Sequence, residues 1–198
     1  MSSTKKTIYF GYGSNLWLQQ MRLRCPDSTY LGIGRLPSYR WMVNRRGYAN
    51  VVQMEASSAS SSSSSENDHE VYGLVFSLTP SDEARLDINE GVPYAYDKEM
   101  LRVRFWPSWS SDVWVDVADM GGSYEREMLV YVNRETVEDA KPKNEYIYRM
   151  NLGIKDAVKL GVPKDYVKQV MRKFIPEVED ETVKEVAEKQ ALMFEDEM

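Results

Sequence analysis

The residues best suited to chemistry lie in one short stretch near the start of the chain, residues 11–16 (GYGSNL). The apolar residues 8–10 before it predict a strand, and a helix is predicted from Leu16 onward. Glycines allow a positive φ in the turn between them, where Ser14 and Asn15 can bond their own backbone. A strand that ends in such a turn directs several backbone N–H groups to one place, which suits a carboxylate or a phosphate. The alternative is an ordinary strand-to-helix turn.

Two better-known glycine-rich motifs do not fit this turn. A dinucleotide fingerprint needs a third glycine where Leu16 stands, and a P-loop needs a Gly-Lys-Ser/Thr ending, which is missing here. If the turn binds an anion, it is therefore an anion-binding turn of another kind.

Glu90 is the second candidate, because a helix is predicted to end on it. Thr79 can cap that helix, Pro80 suits its first turn, and Gly91 ends it. A negative charge is disfavoured at a helix C-terminus, so this environment suits a base with a raised pKa. The alternative for Glu90 is a solvated surface carboxylate.

Rare residue types restrict the remaining chemistry. The chain has one histidine, His69, which any Ser-His-Asp triad or histidine-based metal site would have to use. A nucleophilic Ser14 would lack a histidine neighbour, and we expect His69 to be solvated beside a serine-rich run. The one cysteine, Cys25, rules out an internal disulfide and fits a reducing cytosol. We expect it to act as a small hydrophobic residue.

The elements that must position these residues are short strands interrupted by helices. Beyond the first strand, strands are predicted at residues 30–43, 48–53, 71–78, 98–106, 113–117 and 128–132. In the strand at residues 30–43, Gly32, Gly34 and Pro37 are expected to form breaks or bulges. Helices are predicted at residues 17–23, 80–90, 146–158 and 166–174. Runs of consecutive strands favour an α+β fold over a doubly wound sheet.

The 198 residues fit a single domain, which we place at residues 1–176. A serine-rich stretch at about residues 56–69 cannot build a core, so we predict a surface insertion, with a phosphorylated loop as the alternative. The acidic tail, residues 177–198, offers one more helix, with apolar positions at Val183, Ala187, Ala191 and Phe194.

Charge and hydropathy exclude two classes of partner. The net charge of the whole chain is −6, and the tail carries nine acidic and two basic residues. The rest of the chain therefore has a net charge of about +1. A near-neutral domain with an acidic tail lacks the excess of basic residues with which proteins bind the phosphates of nucleic acids. No apolar run approaches the roughly 18 residues of a membrane span, and the start lacks the apolar core of a signal peptide. We therefore expect a cytoplasmic protein.

Two motifs together resemble those of the γ-glutamylcyclotransferase family, including its plant AIG2-like relatives. Residues 86–92 (LDINEGV) resemble the second family motif, in which a glutamate before a glycine is the catalytic base. The order and separation of the motifs fit, and the resemblance runs with gaps from about residue 8 to residue 176. It implies a small mixed β-barrel with surrounding helices. The first motif consists of Tyr12, Gly13, Ser14, Asn15 and Leu16.

The resemblance assigns roles by position. Glu90 would be the general base, and the main-chain N–H groups of residues 12–16 would hold the substrate's α-carboxylate. Tyr96 and Tyr146 would line the pocket, although their role as core residues stays open. Tyr94 remains an alternative to Tyr96, because this sequence and the family pattern are offset by about one residue at that point.

The family reaction is intramolecular. The substrate's α-amine attacks its own γ-carbonyl, closing 5-oxoproline and expelling an amino acid or an amine, so a ring-closing pose removes much of the entropic barrier. The expected partner is this small γ-glutamyl molecule, without a metal or organic cofactor, and a homodimer is compatible with the resemblance. We expect γ-glutamyl dipeptides as substrates, with γ-glutamylamines and then glutathione as alternatives. A non-catalytic binding module of the same fold is a further alternative, against which the presence of Glu90 counts.

Overall fold

The structure is a computed structural model that describes residues 5–54, 69–178 and 181–192. Its strands are β1 (Thr7–Gly11), β2 (Thr29–Pro37), β3 (Tyr39–Val43), β4 (Ala49–Gln53), β5 (Glu70–Leu78), β6 (Asp97–Pro107) and β7 (Tyr124–Val132). Its α-helices are α1 (Leu18–Arg24), α2 (Pro80–Asn89), α3 (Asn144–Leu160), α4 (Lys164–Gln169) and α5 (Lys184–Leu192).

A closed five-stranded barrel in the order β1-β5-β2-β6-β7 forms the centre of the molecule. Its pairings are antiparallel except where β7 closes on β1 in parallel, at Tyr9 and Leu129, so the barrel is mixed. Strands β3 and β4 form a separate two-stranded sheet. The predicted α+β fold with a small mixed barrel is confirmed.

The barrel closes around Phe10, which is fully buried. A Cβ at Gly73 would lie 2.4 Å from the Gly11 carbonyl oxygen, so only a glycine lets β5 approach β1 this closely. At Gly32, φ is +144° and the register of β2 against β5 shifts. The predicted bulge at Gly32 is therefore present.

One predicted strand is divided in the structure, and another is absent. The strand expected at residues 30–43 is divided between β2 and β3 at Ser38, whose φ is +62°, directly after the break expected at Pro37. The strand expected at residues 113–117 is wrong, because this segment forms a loop over the end of α3. Within it, the Val115 N–H donates to the Leu160 carbonyl (2.8 Å), and Trp114 is exposed.

The helices pack around the barrel. The helix expected at residues 166–174 is shorter than predicted, since α4 ends at Gln169 and a 3₁₀ turn, Met171–Lys173, follows it. The acidic tail does contain a helix, α5, which packs against α1 and α3. Phe194 lies outside the described residues. Within the described part of the chain, no helix has the length and apolar character to cross a bilayer.

We predict that the serine-rich stretch is dispensable. Its serines lie outside the described residues, between β4 and β5. Its serines offer no apolar side chains to a core, and the entropy of loop closure changes slowly with loop length. Replacing residues 57–65 with a short Gly-Ser linker should leave the Tm and kcat/KM almost unchanged. A failure to fold, or a lost activity, would show that the stretch is structural.

Candidate active site

A cleft of about 620 Å³, counted with its open mouth, lies beside the C-terminal end of β1. The turn after β1 lines it with residues 12–15, and Glu90 lines it at the end of α2. Two arginines, Arg24 and Arg149, lie in its wall. Its tyrosines are Tyr9, Tyr12, Tyr48, Tyr96, Tyr131 and Tyr146.

Gly13 does not use the positive φ that glycines allow in the turn. Its φ is −107°, and Gly11 does not have a positive φ either. A Cβ at Gly13 would lie 2.9 Å from the Tyr146 hydroxyl and 3.3 Å from the Ala49 Cβ. The missing side chain thus lets α3 and β4 approach the turn.

The structure places Leu16 outside the cleft, contrary to its expected part in substrate binding. Its N–H donates to the Gly13 carbonyl (3.0 Å) in the 3₁₀ turn Ser14–Leu16. Its side chain is fully buried and packs against α3 so closely that a Cβ at Gly153 would lie 3.0 Å from the Leu16 Cβ. Leu16 therefore anchors the turn to α3.

The end of α2 fixes the direction of Glu90. The Glu90 N–H donates to the Leu86 carbonyl (2.8 Å), and Gly91 follows with a φ of +66° and donates its N–H to the Ile88 carbonyl (3.1 Å). A glycine in this left-handed conformation is a common helix ending. The Glu90 carboxylate then meets the turn after β1, where its Oε1 accepts a hydrogen bond from Asn15 Nδ2 (2.9 Å).

The side chain of Asn15 is fully engaged by the protein. Its Nδ2 also donates to the Tyr9 hydroxyl (2.9 Å), and its Oδ1 accepts from Gln20 Nε2 (2.8 Å) and Arg24 NH1 (3.2 Å). With both donors and the acceptor bound, the amide is held in one orientation. The structure therefore places the Asn15 side chain as a support for Glu90.

Burial sets the protonation behaviour of Glu90, whose side chain is 17% exposed. Loss of water raises the pKa of its carboxyl, and Arg24, the Asn15 hydrogen bond and Arg149 offset only part of this effect. The nearest cation is Arg24, with NH1 3.8 Å from Glu90 Oε1. Burial and the neighbouring Arg149 lower the pKa of Arg24 to about 10, so it stays charged at neutral pH. A carboxylate with a raised pKa is a stronger base.

Ser14 is held as a hydrogen-bond acceptor. Its Oγ accepts from Gln20 Nε2 (2.9 Å) and from Arg149 NH1 (3.2 Å), and Arg149 also pairs with Glu145 (3.6 Å). Neither an amide nor a guanidinium can take a proton from a hydroxyl. The geometry therefore gives Ser14 no activating base, as a serine nucleophile would need.

Two tyrosines bind the main chain of Ala49, one as a hydrogen-bond donor and the other as an acceptor. The Tyr96 hydroxyl donates to the Ala49 carbonyl (2.7 Å), whereas the Tyr146 hydroxyl accepts from the Ala49 N–H (3.2 Å). The hydrogen of the Tyr146 hydroxyl is not used in this bond, and it meets no acceptor in the described part of the chain. Tyr96 is 6% exposed and lines the cleft, whereas Tyr94 is 96% exposed and lies outside it.

Cys25 is enclosed in the protein. Its side chain is fully buried, and its Sγ donates to the Asp82 carbonyl (3.6 Å). Burial, helped by the Asp82 charge, raises the pKa of the thiol to about 12. A thiol in this state is inert at neutral pH, as a small hydrophobic residue would be.

Sequence reasoning missed several lining residues. Arg24 lines the cleft, and Gln20, four residues before it on α1, bonds Ser14 and Asn15 from behind. Both are buried, and two polar residues on one face of a helix were a readable signal. Arg149 follows Tyr146 by three positions and shares its helix face. Other missed residues carry no such signal: Tyr9, Tyr48, Ala49, Asn89, Tyr131 and Gln190.

Substitutions in the turn after β1 separate its role in the reaction, tested at Gly13, from its role in stability, tested at Ser14. Gly13→Ala should lower kcat/KM by roughly 10²-fold, because the new Cβ displaces Tyr146 and small misplacements are costly in a reactive site. Ser14→Ala should instead cost about 1–3 kcal/mol of stability, since it leaves two buried donors without their acceptor, and activity should largely persist. Steady-state kinetics and thermal denaturation of both variants check this. An inactive Ser14→Ala with a trapped acyl-enzyme in the wild type would reverse the assignment.

Comparisons with known proteins are consistent with the sequence motifs. A family profile described as "Gamma-glutamyl cyclotransferase, AIG2-like" matches residues 9–161, more than three quarters of the chain. Among curated protein sequences, none matches significantly.

Several solved structures share the fold. One described as "Gamma-glutamyl cyclotransferase" is 20% identical, with a TM-score of 0.66, and the match covers 93% of this chain and 99% of that one. An uncharacterized protein from Homo sapiens is also 20% identical, with a TM-score of 0.65 and coverage of 92% and 98%. YkqA from Bacillus subtilis is 16% identical, with a TM-score of 0.60 and coverage of 86% and 55%.

Proposed function

The chain belongs to the gamma-glutamyl cyclotransferase, AIG2-like family, and on this premise we propose that it releases 5-oxoproline from γ-glutamyl dipeptides. The observation that carries the proposal is the hydrogen bond from Asn15 to Glu90 (2.9 Å). It joins a buried carboxylate of raised pKa to the turn that lines the same cleft. An amine nucleophile that must first lose a proton needs such a base beside its binding site.

Glu90 takes a proton from the substrate's α-ammonium, and the freed amine attacks the γ-carbonyl carbon. The bond from this carbon to the leaving nitrogen then breaks. The lactam of 5-oxoproline keeps one of the three ammonium protons. The other two reach the leaving nitrogen, with Glu90 as the carrier, and the amino acid departs with its own ammonium group.

The turn after β1 is the proposed site for the substrate's α-carboxylate. The first N–H groups of a helical turn lack partners within the helix, and residues 13–15 line the cleft. Because the Leu16 N–H is already bound to Gly13 and the Ser14 N–H interacts with the Tyr146 hydroxyl, the proposal is narrower than the expected span of residues 12–16. It rests on the N–H groups of Gly13 and Asn15. Arg24 and Arg149 add a positive potential that attracts an anion.

Tyr146 is the proposed donor to the oxygen that becomes negative as the ring closes. The Tyr12, Tyr96 and Tyr131 hydroxyls donate to protein acceptors, namely the Tyr131 carbonyl, the Ala49 carbonyl and the Asp87 carboxylate. The Tyr146 hydroxyl accepts from the Ala49 N–H instead, as the Tyr9 hydroxyl accepts from Asn15. Of these two, Tyr146 stands against Gly13 of the turn, so its proton can turn toward a substrate held there. A donor placed in advance at a developing oxyanion stabilises the transition state.

A panel of substrates tests the proposal. Purified protein should release 5-oxoproline fastest from γ-glutamyl-alanine and related dipeptides, and more slowly from a γ-glutamylamine and from glutathione. Faster release of 5-oxoproline from the γ-glutamylamine or from glutathione would make that compound the preferred substrate class. Binding of the dipeptide in calorimetry, without 5-oxoproline from any member of the panel, would instead favour a non-catalytic binding module.

A further inference from the structure

Helix α5, from the acidic tail, ends at the cleft. Arg24 holds its last turn, donating from Nε to the Ala191 carbonyl (2.8 Å) and from NH2 to the Gln190 carbonyl (3.0 Å). A guanidinium bound to the carbonyls at a helix C-terminus is a stabilising arrangement. The fully buried Ala187 and Ala191 let the helix pack closely.

The same guanidinium joins α5 to the candidate base. Arg24 NH1 lies 3.2 Å from Asn15 Oδ1 and 3.8 Å from Glu90 Oε1. The position of Gln190 is thereby coupled through one side chain to the position of Glu90.

Gln190 lines the cleft with an unused acceptor. Its side-chain Oε1 is buried and has no hydrogen-bond partner among the described residues. Leaving a buried acceptor unpaired costs free energy, so native proteins rarely keep one without a partner. A ligand that fills this cleft and carries an N–H donor would supply the partner.

We propose that α5 is part of the substrate-binding site and that Gln190 Oε1 accepts a hydrogen bond from the substrate's α-ammonium. The proposal rests on the proposed function, which puts this ammonium at Glu90. An ammonium group has three N–H donors, and the carboxylate that takes a proton engages one of them. Gln190 Oε1, a neutral acceptor, binds a second N–H of the ammonium. This hydrogen bond offsets the repulsion between the ammonium and the Arg24 guanidinium.

Gln190→Met tests this, because methionine keeps much of the side chain's length and removes the amide acceptor. The matched control is Glu188→Met, at an exposed position of the same helix. For Gln190→Met, we expect the KM for γ-glutamyl-alanine to rise by roughly tenfold, as for one hydrogen bond to a charged group. Inhibition by glutaryl-alanine, which lacks the α-amine, should keep its inhibition constant. The control should change neither value.

If Gln190→Met weakens the binding of γ-glutamyl-alanine and glutaryl-alanine equally, Gln190 does not contact the ammonium. An unchanged KM for γ-glutamyl-alanine would show that Gln190 does not contact the substrate. Circular dichroism and the Tm of both variants show whether α5 stays folded. If the wild type turns over no γ-glutamyl substrate, the proposed function fails separately. The dissociation constants of the two ligands, measured by calorimetry with the same variants, then carry the comparison.

Discussion

Glu90→Gln is expected to lower kcat/KM for γ-glutamyl dipeptides by roughly 10²–10⁴-fold, the usual loss when a general base is removed. The amide keeps the shape of the side chain and an oxygen for Asn15 Nδ2, which donates to Oε1 in the wild type. It cannot take the ammonium proton. Dissociation constants for the dipeptide should change far less than kcat/KM. A variant that keeps near-full activity would remove Glu90 from the mechanism.

The same substitution should not destabilise the protein at neutral pH. Burial raises the pKa of Glu90 in the folded state, so folding favours the protonated carboxyl. The stability associated with this proton is present below the ordinary glutamate pKa, and it is lost as the pH rises through the raised value. Glutamine does not ionise, so Glu90→Gln should gain stability relative to the wild type as the pH rises through this window. Urea denaturation on both sides of it measures the difference.

Tyr146→Phe is expected to lower kcat by roughly 10²–10³-fold while KM changes little, since a donor to the developing oxyanion acts mainly in the transition state. Tyr96→Phe is the matched control, because both substitutions remove a hydroxyl that binds the main chain of Ala49. Tyr96 already donates its proton to the protein. We therefore expect Tyr96→Phe to cost about 1–3 kcal/mol of stability with kcat within a few-fold of the wild type.

Equal losses of kcat in the two tyrosine variants would contradict the role proposed for Tyr146. They would show that both hydroxyls act by positioning Ala49 and the strand that begins with it. Thermal denaturation of each variant keeps an effect on folding apart from an effect on the reaction.

Local sequence signals predicted the position of Glu90 well. The helix start expected at Thr79 is a capping box, in which Asp82 N–H donates to Thr79 Oγ1 (3.1 Å) and Asp82 Oδ2 accepts from the Thr79 N–H (3.2 Å). With Gly91 at the other end, these residues determine the helix length by short-range hydrogen bonds. The position of Glu90 at its end followed from the chain alone.

Long-range packing determined what the sequence could not predict. Leu16 is part of a matched motif, yet its contact with α3 removes it from the cleft. Tyr96 and Tyr94 have the same side chain, and only the fold buries one and exposes the other. Gln190 reaches the site through a helix more than 160 residues after its partner Arg24, a pairing to which no local pattern points.

The fate of the substrate's α-nitrogen tests the central claim most directly. Purified protein would be incubated with γ-glutamyl-alanine labelled with ¹⁵N at the α-amine, and the products would be followed by nuclear magnetic resonance. Intramolecular attack predicts that the label appears in the lactam nitrogen of 5-oxoproline, in step with free alanine. Labelled glutamate instead of labelled 5-oxoproline would show hydrolysis by water and would contradict a cyclotransferase with Glu90 as its base.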